Sequence, residues 1–284
     1  MLTPVVHTIA EVRSAVAHAR GLGFSIVFVP TMGALHEGHA ALIRAAGTAN
    51  AYVVVSVFVN PKQFGPNEDF AKYPRTLDAD RAVCSAAGAN LIFAASAEEM
   101  YPDGFVSFVD VTRLGDTLCG ASRPGHFRGV CTVVLKLFNI VQPDTAYFGA
   151  KDYQQAAIIR RMVQDLDVPV AVKVQPTVRE ADGLALSSRN RYLSADERAA
   201  APAIYQALLA VRDRAKGERS VPALEAALGE ALAAIPGARV DYARIVDAAT
   251  LQPLESLDRP AVAAVAVFLG STRLIDNLLL SPGR

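Results

Sequence analysis

Net charge is the first thing this chain lacks. Lys plus Arg and Asp plus Glu each number 28 among 284 residues, so the formal charge is zero. Duplex-DNA binding draws on a basic excess or stripe, and its absence argues against that class. Any anion site must therefore be built locally. Cysteine is scarce: three residues, at 84, 119 and 131, odd in number and in no C-x-x-C pattern. That argues against a disulfide framework or a Cys-rich zinc site. No apolar run approaches the roughly 20 residues of a membrane span, and Met1-Leu2-Thr3-Pro4 has no basic segment leading into an apolar one. A soluble, cytoplasmic protein without nucleic-acid or membrane partners is expected. Three motifs are also missing: a G-x-x-x-x-G-K-[ST] phosphate loop, a G-x-S-x-G nucleophile elbow, and a dinucleotide fingerprint. Gly21-Leu22-Gly23 precedes its strand, lacks the third glycine, and reads as a helix end and turn.

What is present is ordinary globular composition, 52% hydrophobic and 20% charged, with 19 Gly and 16 Pro. The length suggests about two domains, and a chain of this size folds without a disulfide or metal staple. Through residue 180, apolar runs at 24–30, 52–59, 91–94, 106–111, 145–149 and 170–175 read as strands. Helical patterns fall near 39–47, 76–87, 129–141 and 153–165. The 52–59 run has almost no polar face, as in strands covered on both sides. This alternation predicts an α/β domain with right-handed crossovers and ligands at the carboxyl ends of its strands, near the switch in strand order.

Beyond residue 180 the character changes. Ser194 and Glu197 form an S-x-x-E capping box opening a long Ala-rich helical stretch to about Gly217, which Pro202 should kink or split. A helix over 221–235 stops at Pro236-Gly237, and strand-like runs follow at 239–247, 262–269 and 273–280. The expected organisation is 1–178 as a Rossmann-like parallel-sheet domain and 179–284 as a smaller α+β domain.

Four polar segments fall where such a sheet would bind ligands. Pro30 through His39, PTMGALHEGH, carries two histidines three apart at a strand-to-helix junction. The N–H groups of the helix mouth and the imidazoles suit a polyphosphate. Zinc competes, although a helical metalloprotease pair needs H-E-x-x-H, and a purely structural role is the third reading. Asn60-Pro61-Lys62-Gln63-Phe64 puts an amide, both donor and acceptor, after the most apolar strand. Phe148 through Gln155, FGAKDYQQ, offers Lys151 for phosphate charge or as a surface lysine, Asp152 as a helix N-cap, and Gln155 on the side of the helix opening. Arg179 through Asn190 sets Ser187, Ser188 and Arg189 in an anion-gripping segment or a polar linker. Asp78 and Asp80 read as a solvated helix face in preference to metal ligands. Arg123, His126 and Arg128 read as loop and helix-start structure.

In family order, PTMGALHEGH at 30–39, VNPKQFGPNED at 59–69, YPRTLDAD at 73–80, SRPGHFRGV at 122–130, YFGAKDYQQ at 147–155 and ADGLALSSRNRYLS at 181–194 closely resemble the pantoate–β-alanine ligase family. That family lies within the HxGH nucleotidyltransferases. Ala40 and Ala150 stand where bulkier or acidic residues are common in it. The resemblance implies a Rossmann-like domain with a smaller α+β lid domain, a homodimer, and ATP-dependent condensation of pantoate with β-alanine through pantoyl adenylate, releasing AMP and pyrophosphate. It further implies that Met32, Gly33, Ala34, Leu35, His36, Glu37, Gly38 and His39 line the ATP site, with His39 the proton donor. Gly149, Ala150, Lys151 and Asp152 would hold the nucleotide, Asp152 at the ribose. Val178 would meet adenine, and Leu186, Ser187, Ser188 and Arg189 would close over the triphosphate. His36, His39, Lys151 and Arg189 would be the catalytic set. Gln63 and Gln155 would hold pantoate, Gln63 would also meet β-alanine, and Mg²⁺ would ride on ATP with no dedicated protein metal site.

Overall fold

The computed structural model describes residues 2–66 and 68–282. Met1, Asn67, Gly283 and Arg284 lie outside the described residues; Asn67 belongs to the 59–69 motif and the others to the ends of the two expected units.

The strands are β1 (Val5–Val6), β2 (Ser25–Thr31), β3 (Ala51–Val57), β4 (Leu91–Phe93), β5 (Thr145–Gly149), β6 (Ala171–Gln175), β7 (Ala238–Asp247), β8 (Ala261–Leu269) and β9 (Thr272–Leu280). The helices are α1 (Ile9–Gly21), α2 (Glu37–Ala46), α3 (Leu77–Ala87), α4 (Ala97–Met100), α5 (Cys119–Ser122), α6 (His126–Val141), α7 (Tyr153–Asp165), α8 (Ala195–Ala200), α9 (Ala203–Arg214) and α10 (Val221–Ala233).

The first six strands form one parallel sheet in the order β1-β4-β3-β2-β5-β6. Val53, Val55 and Val27 pack on α2 and α3, while Val54, Ile26 and Phe28 pack on α1, α6 and α7. Burial on both faces is why β3 needs apolar residues at successive positions and shows no alternation. The chain lays β3 and β4 to one side of β2 and then crosses to put β5 and β6 on the other. The carboxyl ends of β2 and β5 therefore flank the point where strand order reverses, with Phe28 paired to Ala146. Crossovers diverge there and leave a crevice.

The last three strands form an antiparallel sheet, β7-β8-β9. Alternate residues of the central strand, Ala263, Val265 and Val267, face α9 and α10, and Val262 and Ala264 face Leu118 and Leu251. Both faces of β8 are covered, which accounts for its wholly apolar sequence.

Pro202 splits the long helix into α8 and α9, because its ring removes a donor and clashes with the preceding turn. The capping box holds: Ser194 accepts from Glu197 N–H, and Glu197 accepts from Ser194 N–H at 2.8 Å. Residues 106–111, expected as a strand, form none. The Val109 N–H donates to the Thr132 hydroxyl at 3.0 Å. Nearby, Phe105 and Phe108 stack against Lys136 and Arg128, so α6 side chains meet the segment in place of a neighbouring strand. The short β1, paired to β4 through only Val5 and Val6, gives no periodic signal in sequence.

Candidate active site

Past the end of β2, the backbone turns through two left-handed residues, Gly33 (φ 78°) and Ala34 (φ 50°), before α2 begins. Asp80 of α3 holds this turn. Its Oδ2 accepts from Ala34 N–H at 3.1 Å and its Oδ1 from Leu35 N–H at 2.7 Å. Asp80 is therefore no solvated residue: it is 1% exposed, while Asp78 is exposed. A carboxylate buried this deeply has to be met by donors, and the strained turn supplies them.

The spacing of the two histidines has a local cause. His36 is the N-cap of α2, its Nδ1 accepting from Gly38 N–H at 3.1 Å; His39 is the third helical residue, and its Nδ1 faces His36 N–H at 3.3 Å. This is a capping box made of two imidazoles, the reciprocal pattern that normally uses Ser or Thr with Glu. Gly38 permits it, since a Cβ there would lie 2.9 Å from His36 Cε1. Because both Nδ1 atoms accept, each neutral ring carries its proton on Nε2. Burial pushes the His36 pKa down from 6.5 to about 4, helped by the Lys151 charge. Burial and the neighbouring His36 push His39 down to about 3. Both rings are neutral at pH 7, their centroids 4.2 Å apart.

His36 and His39 line a cavity of about 230 Å³. Of the expected 32–39 stretch, Met32, Gly38 and both histidines reach its wall, whereas Gly33, Ala34, Leu35 and Glu37 do not. The N–H groups of Ala34 and Leu35 point to Asp80. From the end of β5 and the turn that follows come Gly149, Lys151 and Asp152, and from the 178–189 segment Val178 and Leu186 through Arg189. Ala150 is absent from the wall; its carbonyl accepts from Asn277. Asp152 occupies the N-cap position of α7, but its side chain makes no capping bond; the expected capping role is replaced by a place in the cavity wall. The Val178 carbonyl accepts from Leu186 N–H at 3.0 Å.

Gln63 and Gln155 complete the wall. Gln63 Oε1 accepts from Asn60 Nδ2 at 3.0 Å, and Gln63 Nε2 donates to Met32 Sδ at 2.9 Å. Asn60 is a residue whose role sequence reasoning missed. It is 1% exposed and also donates to the Gly129 carbonyl, while its Oδ1 accepts from Lys62 N–H and the Tyr101 hydroxyl. The only sequence signal was its place before Pro61 at a strand's end. The Gln63 carbonyl accepts from His126 Nδ1–H at 2.8 Å, and Arg123 pairs with Glu68 at 2.5 Å. Arg123 and His126 thus tie Glu68 and Gln63 to the start of α6, and both also line the larger cavity between the sheets. The neighbouring glutamines of α7 part company: Gln154 is buried and bonded to Cys119 N–H, Leu114 O and Thr117 O, while Gln155 faces the cavity.

A second cavity, of about 710 Å³, opens between the two sheets. It shares Lys151, Asp152, Gln155, Ser187 and Arg189 with the first. The smaller cavity is where both imidazoles and both glutamines converge. Among the described residues, no three His, Cys, Asp or Glu side chains stand together in a metal-binding group, and no helix is long and apolar enough to cross a membrane.

The whole chain has close counterparts. A family model described as Pantoate-beta-alanine ligase matches residues 4–279. A pantothenate synthetase from Moorella thermoacetica is 56% identical over 277 residues, 97% of this chain and 98% of its own. One from Pseudomonas putida strain W619 is 56% identical over 96% of both chains. The crystal structure of pantothenate synthetase from Thermus thermophilus superposes with a TM-score of 0.93 at 52% identity, covering 99% of this chain and 100% of that one. A pantoate-beta-alanine ligase from Francisella tularensis, solved in complex with beta-gamma ATP and beta-alanine, gives a TM-score of 0.78 at 34% identity, covering 98% of this chain and 97% of its own. Matched by the family model over residues 4–279 and by relatives 56% identical over nearly the full length, the chain belongs to the pantoate-beta-alanine ligase family and is an enzyme of the ligase class.

Proposed function

We propose that this enzyme condenses pantoate with β-alanine in two steps through pantoyl adenylate, releasing pyrophosphate and AMP. The observation that carries the reading is one cavity joining two imidazole donors, Lys151 and Arg189 to a pair of glutamines. The first set suits a polyphosphate and the second a hydroxylated acid. In step one a pantoate carboxylate oxygen bonds to the α-phosphorus as the bond to the pyrophosphate oxygen breaks. The substrate is the nucleophile, so the protein aligns the reactants and stabilises charge on the leaving group. In step two the β-alanine amine adds to the activated carbonyl carbon, and AMP departs with the bonding electron pair.

His36 and His39 act as neutral Nε2–H donors to phosphate oxygens, a role their depressed pKa values favour. For His39 to give up a proton outright, bound phosphate must first raise its pKa, the direction a nearby anion drives an imidazole. Lys151 and Arg189 supply fixed positive charge, and Ser187 and Ser188 close the phosphate end. Asp152 meets the ribose, and the Val178 backbone meets adenine. Gln63 and Gln155 hold pantoate, whose gem-dimethyl carbons match the apolar wall of Val130, Val133, Val134 and Phe58; Gln63 also meets β-alanine.

Mg²⁺ fits this donor set only as a companion of ATP. Among the described residues Asp152 is the sole carboxylate lining the smaller cavity, and Mg²⁺ is content with one carboxylate, phosphate oxygens and water. When bound it would neutralise triphosphate charge.

Residues 1–178 carry the nucleotide and pantoate sites in this reading, and 179–284 form the lid. The chain works as a homodimer. Supporting this, 106–111 has strand-like sequence with no strand partner among the described residues, and Val106 is 82% exposed. Three free, buried thiols suit the reducing cytoplasm.

The decisive assay is AMP release with ATP, Mg²⁺ and pantoate, with and without β-alanine. Steady AMP production only with both substrates is expected. Pyrophosphate formation that β-alanine does not alter would leave the adenylation site standing and remove the proposed acceptor. His39→Ala should slow single-turnover adenylation by about 100-fold or more, as loss of a preorganised donor does; a near-normal rate would remove His39 from the phosphate site.

A further inference from the structure

Arg189 does not lie loose in the cavity wall. Its Nε donates to Asp69 Oδ2 at 3.1 Å and its Nη2 to Asp69 Oδ1 at 3.0 Å. This is a side-on, two-point pair between positions 120 apart in sequence. Asp69 opens the short turn Asp69–Lys72, and Arg189 belongs to the turn Ser188–Tyr192. A second bond, from the Tyr192 hydroxyl to the Lys72 carbonyl at 3.4 Å, joins the same two turns.

A guanidinium offers five N–H donors in a flat fork. The side-on pair engages Nε–H and one N–H of Nη2. The Nη1 edge makes no hydrogen bond to any described residue, and Arg189 lines both cavities. Each partner remains about 30% exposed, at 29% and 30%. The pair is half-buried rather than part of the core, and its consequence lies in orientation. Burial works against the charge of Arg189, but the bond to Asp69 and its charge, joined by Tyr73 and Asp152, together outweigh burial, so the guanidinium pKa is raised.

We infer that Asp69 is a positioning residue for nucleotide binding: its carboxylate fixes the plane of Arg189 so that the free edge of the guanidinium meets the triphosphate. The inference rests on the assignment of Arg189 to the ATP site. The carboxylate takes one edge and leaves the other open, so it aims the arginine without competing with phosphate.

The test is a double-mutant cycle on the full-length enzyme, using Asp69→Ala, Arg189→Ala and both together, with KM for ATP and for pantoate measured separately. Asp69→Ala should lower kcat/KM for ATP about 10-fold, chiefly through KM, and leave KM for pantoate unchanged. In the Arg189→Ala background, Asp69→Ala should have no further effect, because the group it orients is gone. Melting temperatures of all variants identify any that fail to fold, and Asp69→Asn, which keeps the shape and one acceptor, should fall between wild type and Asp69→Ala. Equal losses from Asp69→Ala in both backgrounds would overturn the inference, as would a fall in KM for ATP, the mark of a carboxylate that blocks the site. If Arg189→Ala keeps the wild-type KM for ATP, the assignment of Arg189 fails and this inference with it. If Arg189→Ala raises KM and Asp69→Ala does not, the assignment stands and only the inference falls.

Discussion

Three imidazoles, His36, His39 and His126, stay neutral in the fold, with pKa values depressed to about 4, 3 and 4. Burial is the first cause in each case; for His126 the adjacent Arg123 adds to it. The unfolded chain binds protons on these rings below about pH 6.5, where the folded chain does not. Their contribution to stability is therefore complete above pH 6.5 and is lost as pH falls through about 4. Thermal melts at pH 7, 6 and 5 should show a progressive fall in Tm before the carboxylates titrate; a flat Tm across that range would contradict the buried, neutral assignment. The two glutamines of α7 make a second residue-scale test. Gln154→Ala strips three bonds from the loop at 114–119 and should cost about 1–3 kcal/mol of stability, read in a denaturant melt. Gln155→Ala should leave the melt unchanged and weaken pantoate binding in a separate ligand titration. The motifs already marked residues 148–155 as a site and set Gln155 on the side of the helix opening, yet they gave no sign that Gln154 beside it would be buried and bonded to the 114–119 loop. The 3.6-residue helical period decides that once α7 is docked.

Helix α6 shows how an element sets a site it does not itself occupy with polar groups. It presses on the turn Pro61–Gln63 so closely that a Cβ on Gly129 would collide with the Lys62 carbonyl and lie 2.7 Å from Gln63 Cα. The same contact lets Asn60 Nδ2 reach the Gly129 carbonyl at 3.1 Å. Gly129→Ala should push the turn away, costing about 1–3 kcal/mol by overpacking and raising KM for pantoate more than KM for ATP. A melt with parallel kinetics checks both, and unchanged values in each would mean the turn moves freely. Sequence reading located this helix and the amide motif separately. It had no means of seeing that they touch, because 129 and 63 are neighbours only after β3 and β5 take their places in the sheet. It also made 106–111 a strand, since apolar alternation reports what a segment can bury and not whether another strand lies beside it.

At the scale of the whole molecule, the C-terminal sheet braces the turn at Ala150–Asp152 directly. Asn277 of β9 donates from Nδ2 to the carbonyls of Ala150 and Lys151 at 2.9 and 2.8 Å. Next to it, Asp276 forms a two-point pair with Arg179, whose guanidinium lies 3.6 Å over the Tyr205 ring. Asn277→Ala should raise KM for ATP several-fold with KM for pantoate little changed, since only the Lys151 turn loses its support. Steady-state kinetics with each substrate varied would show this; equal changes in both would place Asn277 outside nucleotide positioning.

The sequence by itself determined the alternation of strand and helix, the change from parallel to antiparallel architecture after β6, the imidazole pair at a helix mouth and the amide and lysine motifs after strands. These are local properties, written in periodicity, capping and turn chemistry within a few residues of each other. The order of the strands, the placing of β2 beside β5, the burial of Asp80, the hub at Asn60 and the pairing of Asp69 with Arg189 were decided by tertiary structure. Each depends on contacts between segments tens of residues apart or more, and no local pattern encodes which distant partner a buried carboxylate or amide will find.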